Sequence, residues 1–176
     1  MISRDIAAGI VTLWVNNGLD AAFSDLWHED VIKSEHTPMI DYEPYPDQPM
    51  PYCIFEQGRT ASEQLMSGGA STLRDIRSTL LTFRVHVSDK IHLSTDTRTA
   101  AAVAVDLVGR IQEVYGGHHA VSPPIFPLPG GCFLRSKYLG DEGQRRMFTG
   151  SKEKLDFRGV IWVIRYELLV DVAVAA

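Results

Sequence analysis

The chain has 176 residues, of which 45% are hydrophobic and 22% charged, and a formal net charge of −5 at pH 7. This length supports one ordinary domain around a single core, and the acidic balance argues against a dedicated nucleic-acid binder, which would carry a basic face. The longest apolar runs, such as VIWVI before Arg165, are too short to span a bilayer, and the two separated cysteines, Cys53 and Cys132, suggest a reducing compartment rather than a disulfide framework or a zinc site.

The N-terminal stretch MISRDIAAGIVTLWVNNG has only Arg4 as a basic start, offset by Asp5, and does not read as a signal peptide. Ser3 is a suitable N-cap, and Ile6, Ile10, Leu13 and Trp14 share a face, so residues 4–17 are expected to form an amphipathic helix. Gly18 stands where a left-handed C-terminal cap belongs, and Leu19 is placed to touch Trp14. From Ala21 to Ile32 a helical turn around Phe23, Leu26 and Trp27 is compatible with the pattern, which is too short to decide.

Pro38, Pro44, Pro46, Pro49 and Pro51 make residues 37–51 an extended surface segment. Tyr52 to Gln57 is rich in β-formers and reads as a strand. Residues 60–75, small and polar around Ser67-Gly68-Gly69-Ala70-Ser71, read as a mobile loop. In 76–88 the alternation is clear: Leu81, Phe83, Val85 and Val87 point to a core, while Thr82, Arg84, His86 and Ser88 point to water.

The strongest helical pattern is TDTRTAAAVAVDLVGRIQEVY, 95–115. Ala100, Val103, Ala104, Leu107, Val108, Ile111, Val114 and Tyr115 fall on one arc, with Thr95 or Thr97 as cap and Gly116-Gly117 as terminator. The back of this helix carries Ala102, Val105 and Gly109, where a second backbone could approach closely. Residues 118–131, with four prolines, read as an irregular connector. Cys132–Leu139 and Gln144–Thr149 then suggest a hairpin around Gly140-Asp141-Glu142-Gly143. The closing strand, 157–172, has Val160, Trp162, Ile164, Tyr166 and Leu168 on one face and the apolar Ile161 and Val163 on the other, which suits a central position. The whole predicts a single α+β domain, 1–176, with an antiparallel or mixed sheet of four to five strands and two amphipathic helices packed on one face.

No nucleophile elbow, phosphate loop, dinucleotide fingerprint or zinc-protease motif occurs. His86, His92, His118 and His119 could converge with Asp89 or Asp96 on a metal, but their spacing is not that of a metal site, and solvated histidines are the better reading. Cys53, in an apolar strand, reads as a small hydrophobe rather than a nucleophile. The SGGAS run lacks the lysine and helix start of a phosphate cradle. Arg74, Arg77, Arg145 and Arg146 read as solvated charge or, in an oligomer, as contact residues. No catalytic, cofactor-binding or metal residue is therefore assigned.

In order and pattern, an N-terminal amphipathic helix, PYCIFEQG, a Gly/Ser-rich run, LLTFRVHVSD, TAAAVAVDLVGRIQEVYGG and GVIWVIRYELLV resemble the tail terminator, or tail completion, proteins of long-tailed bacteriophages. The likeness spans most of the chain. It implies a structural subunit and not an enzyme, assembled as a homo-oligomeric ring, typically a hexamer, that caps the head-proximal end of the tail tube and joins the head connector. It further implies no cofactor, no membrane, DNA only as passing cargo, and a place in the host cytoplasm and then in the virion tail. The contacts between copies or with partners would come from Arg74, Arg77, Ala102, Val105, Gly109, Arg145, Arg146, Ile161 and Val163. The other expectation is a small metal- or ligand-binding protein or enzyme that uses loop histidines.

Overall fold

The computed structural model describes residues 2–41, 43–44, 47–65, 74–88, 97–116, 127–128, 131–151 and 154–173. Along the chain lie α1 (Ile2–Asn16), α2 (Leu19–Ser24), a 3-10 turn (Lys33–Glu35), β1 (Met39–Asp41), β2 (Tyr52–Leu65), β3 (Arg74–Ser88), α3 (Ala100–Tyr115), β4 (Pro127–Leu128), β5 (Gly131–Ser151) and β6 (Lys154–Ala173). The strands form one mixed sheet in the order β1-β2-β3-β6-β5-β4, in which only the β1–β2 pair is parallel. This is the expected α+β architecture. Its four long strands are β2, β3, β6 and β5, and the two short ones sit at the edges.

The helices pack on one face because their apolar stripes and the alternation of the strands meet there. Ile6, Ile10, Leu13 and Trp14 of α1 and Val103, Leu107 and Ile111 of α3 share a core with Phe83 and Val85 of β3 and Ile164 and Tyr166 of β6. Aromatic rings fill its centre: Phe83 lies 4.8 Å from Tyr115, 6.2 Å from Trp14, 6.1 Å from Phe55 and 6.0 Å from Tyr166, measured between ring centroids. Tilted and edge-on contacts of this kind add to the burial of ring area. The Tyr115 hydroxyl donates to the Ile10 carbonyl (2.7 Å), which ties the end of α3 to α1 without leaving a buried hydroxyl unpaired.

The C-terminal ends of the helices fall where the sequence places them, but their starts do not: Ser3, expected as N-cap, lies inside α1, and α3 begins at Ala100 and not at Thr95. Gly18 adopts the left-handed conformation (φ 70°), and Leu19 and Trp14 are both buried in the main core, the Trp14 indole N–H donating to Asp20 (3.0 Å). The short segment that follows continues as α2 and not as a longer helix. The cap of α3 is neither Thr95 nor Thr97 but Thr99, whose hydroxyl accepts the Ala102 N–H (3.2 Å). Three consecutive odd positions carry threonine, so composition alone does not select among them. Gly116 ends the helix with φ 103°, a conformation that costs a residue with a side chain.

Four expectations need correction. The hairpin around Gly140-Asp141-Glu142-Gly143 does not form: these residues sit inside one continuous strand, β5, that pairs with β6 from Gly131↔Val172 to Ser151↔Lys154. The turn-like residues serve bulges instead, with register shifts at Tyr138/Gly140 and Asp141/Gly143 and φ values of 124° and 68° at the two glycines. Asp141 accepts the Gly143 N–H (3.0 Å), a local bond shared by turns and bulges, which is why one signature fits both. Residues 60–65 and 74–75 belong to β2 and β3, paired as far as Leu65↔Arg74, and not to a loop; the SGGAS run lies outside the described residues. The proline-rich segment 37–51 contains β1, paired to Cys53–Phe55, and buries Pro38, Ile40 and Pro51. The connector 118–131 likewise contains β4 and the start of β5, while 118–126 lie outside the described residues.

Gly159 marks the entry of β6 beside the end of β3. A Cβ there would lie 2.0 Å from the Val87 carbonyl oxygen, and φ is 142°, so only glycine lets the two strands meet.

Candidate assembly surfaces

The face of the sheet away from the helices is set by the same register. Tyr52, Ile54 and Glu56 of β2 stand beside His86, Arg84 and Thr82 of β3, which stand beside Ile161, Val163 and Arg165 of β6. This face is not simply wet. Thr82 is buried, His86 is half-buried and Val163 is only 6% exposed, although the alternation places all three opposite the helices. Val163 lies in a central strand directly across from Arg84, and the aliphatic stem of a long side chain can cover such a neighbour. Ion pairs lie over the face: Arg84 to Glu56 (2.9 Å), and Arg145 and Arg165 both to Glu142.

Near β1 this face carries a second, smaller cluster of Ile40, Tyr52 and Ile54, with Met50 packed against it. Tyr52 stacks on His86 with ring centroids 4.7 Å apart and planes 13° apart. The His86 Nε2 atom is buried and has no hydrogen-bond partner among the described residues. Burial, and then the nearby Arg84 charge, hold the imidazole pKa down at about 4. His86 is thus not the solvated histidine expected from its place in the alternation. An aromatic residue in register with it, Tyr52, was the available signal.

The candidate contact residues divide by location. On the back of α3, Ala102 and Val105 are exposed, Val105 by 53%, and a side chain at Gly109 would meet nothing within 4 Å. Val11 and Val15, one turn apart on α1, are also exposed, by 43% and 51%. Arg145 and Arg146 are exposed on β5, and Ile161 is half-buried on β6. Arg77 is half-buried in β3, and Arg74 opens that strand opposite Leu65 and Ala173. The structure therefore does not gather these residues into one patch. They occupy the helix backs, the outer sheet face and a distal end of β3.

The sheet is open at both sides. β1 covers β2 only at Cys53–Phe55, and β4 covers β5 only at Gly131–Cys132, so among the described residues the remainder of both edges has no partner strand. The pairing of β5 with β6 is interrupted by four register shifts, that of β2 with β3 by one. Bulged edges resist strand addition and regular ones permit it.

Among the described residues burial shifts several titratable groups. Cys53 is buried, its thiol pKa raised by burial, so it is not poised as a thiolate nucleophile. Tyr115 and Tyr166 are buried phenols whose pKa values are raised chiefly by burial, and Tyr138 is raised to about 12 by desolvation and by its bond to Asp141 (2.7 Å). Among the described residues no three His, Cys, Asp or Glu side chains converge to hold a metal; His92, His118, His119, Asp89 and Asp96 lie outside them. No helix among the described residues is long and apolar enough to cross a membrane. No family model matches the sequence, and no curated protein matches it significantly.

Proposed function

We propose that this chain is a structural assembly subunit of the tail-terminator type, which joins copies of itself into a ring at the head-proximal end of a phage tail tube and meets the head connector. The observation that carries the reading is the one-sided sheet. Helices cover one face, while among the described residues most of both sheet edges has no partner strand and Val11, Val15 and Val105 are exposed. An isolated domain gains nothing by holding three branched apolar side chains in water, whereas burial at a contact between copies stabilises it by about 25 cal/mol per Å² removed from water.

The working principle of such a subunit is surface matching, not catalysis. Head-to-tail contacts that close on themselves make a ring. One side of the ring fits the last ring of the tube, and the other side offers no surface to which a further tube subunit can add. The net charge of −5 suits a channel through which DNA passes, since each added basic contact to phosphate would raise affinity and retard the cargo. The subunit would assemble in the bacterial cytoplasm and remain in the neck of the virion. Polymerising tail tubes with and without the purified protein tests this. Capped tubes of bounded length support the reading, and unlimited tube growth in its presence overturns it.

A further inference from the structure

We infer that residues 37–41 and 47–51 form a strap on the outer face of the sheet, and that protonation of His86 releases it and uncovers the edge of β2. The inference is independent of the assembly reading. The strap pairs with β2 over the three residues of β1 and is held by a few further bonds among the described residues. The Cys53 N–H donates to the Pro38 carbonyl (2.7 Å), the Trp27 indole N–H donates to the Pro51 carbonyl (2.8 Å), and the Gln48 amide donates to the Thr37 carbonyl (3.1 Å). On the outer face its apolar anchor is the small satellite in which Ile40 and Met50 pack on Tyr52 and Ile54, while Met39 packs on the main core. Segments with few buried contacts of their own open at lower free energy than the core they cover.

Tyr52 joins the strap to the titrating group. On one side it clusters with Ile40 and Met50, and on the other it lies flat on the His86 ring. A neutral imidazole suits this site, because Nε2 is buried with no hydrogen-bond partner among the described residues. A cationic imidazole does not, since it adds a second N–H and a charge that only water can satisfy. The groups around His86 do not help the cation. Arg84 on its own strand faces the same way and is positive, with Glu56 engaged by Arg84 itself (2.9 Å). Toward β6 the neighbour is the apolar Ile161, and beyond that Arg145, which is paired to Glu142. The stacked Tyr52 ring would favour a cation to a small degree, but burial and Arg84 outweigh it and hold the pKa at about 4 against an ordinary 6.5. To take up a proton His86 must reach water, which requires Tyr52 to lift and the strap anchored on it to come away. β1 then leaves β2, and the edge at Cys53–Phe55 joins the already open edge beyond it.

Hydrogen exchange at the Cys53 amide, corrected for intrinsic rate, reports the opening directly. Between pH 7.5 and pH 4.5 the open population of the strap rises on the order of 50-fold if His86 regains its ordinary pKa when exposed. Over the same range amides of the β3–β6 pairing stay more strongly protected. His86→Phe, which keeps a flat ring for Tyr52 to cover, and His86→Gln, which keeps a polar side chain without a titration, both remove the pH dependence at Cys53. A Cys53 amide whose corrected exchange is the same at both pH values overturns the inference. So does a rise that persists in both variants, or one that occurs only together with exchange of the β3–β6 amides.

Discussion

The two faces of the sheet use the same strands but reach burial differently. On the helix side Phe83, Leu81, Ile164 and Tyr166 are wholly enclosed by α1 and α3, so each apolar group is covered by another. On the outer side no helix among the described residues lies over the strands, and the face carries ion pairs and the small cluster of Ile40, Tyr52 and Ile54. The first face is a packed core in which volume is conserved closely. The second is a surface in which charge state and local opening decide what is covered.

This contrast is broken most directly at the centre of the core. Phe83→Ala should destabilise the domain by about 3–5 kcal/mol and Leu107→Ala by about 2–5 kcal/mol in denaturant titrations, since both side chains are fully buried and leave cavities. A loss below about half a kilocalorie for Leu107→Ala, typical of surface changes, would contradict the placement of α3 on the sheet.

Acid distinguishes the faces next. The His86 pKa is lower in the folded chain, at about 4, than the ordinary 6.5, so the folded state prefers the neutral ring. The stability this confers is fully present above pH 6.5 and is lost as pH falls through the window from about 6.5 to about 4, by roughly 3 kcal/mol at most at 1.36 kcal/mol per unit. Stability measured at pH 7 and pH 4 should differ less in His86→Phe than in the natural chain by an amount of that order. An equal acid loss in both would place its origin elsewhere.

A smaller and more discriminating comparison uses one substitution on both faces of β6. Ile164→Val removes a methylene from the core and should cost about 0.5–1.5 kcal/mol, whereas Ile161→Val on the half-buried outer face should stay within about 0.5 kcal/mol. The Arg84–Glu56 pair is exposed enough for solvent to screen it, and a double-mutant cycle should return about 0–1 kcal/mol.

The helix-side half of this picture was legible because it is periodic. The spacing of Leu107 and Ile111 and the alternation of Phe83 and Val85 each predict a buried face without knowledge of the partner. The outer face was not, since its burial depends on pairings across the chain: Val163 is covered through its register with Arg84, and His86 through its register with Tyr52. The bulges of β5 were misread for a third reason. Glycines at positive φ and an aspartate accepting a nearby amide serve both a hairpin and a bulge, and only the length of the partner strand β6 selects between them. The candidate contact residues are apolar or charged where neither is needed locally, and of these Val105 and Gly109 are open on the back of α3.

The central claim, that these uncovered surfaces exist for other copies of the same chain, is tested most directly by mass in solution. Multi-angle light scattering across a concentration series should give a closed multiple of the 19.6 kDa subunit, with ring-shaped particles in negative stain, and Val105→Glu should shift the distribution toward the monomer without unfolding it. A protein that remains at 19.6 kDa at high concentration, with and without the substitution, would contradict the account.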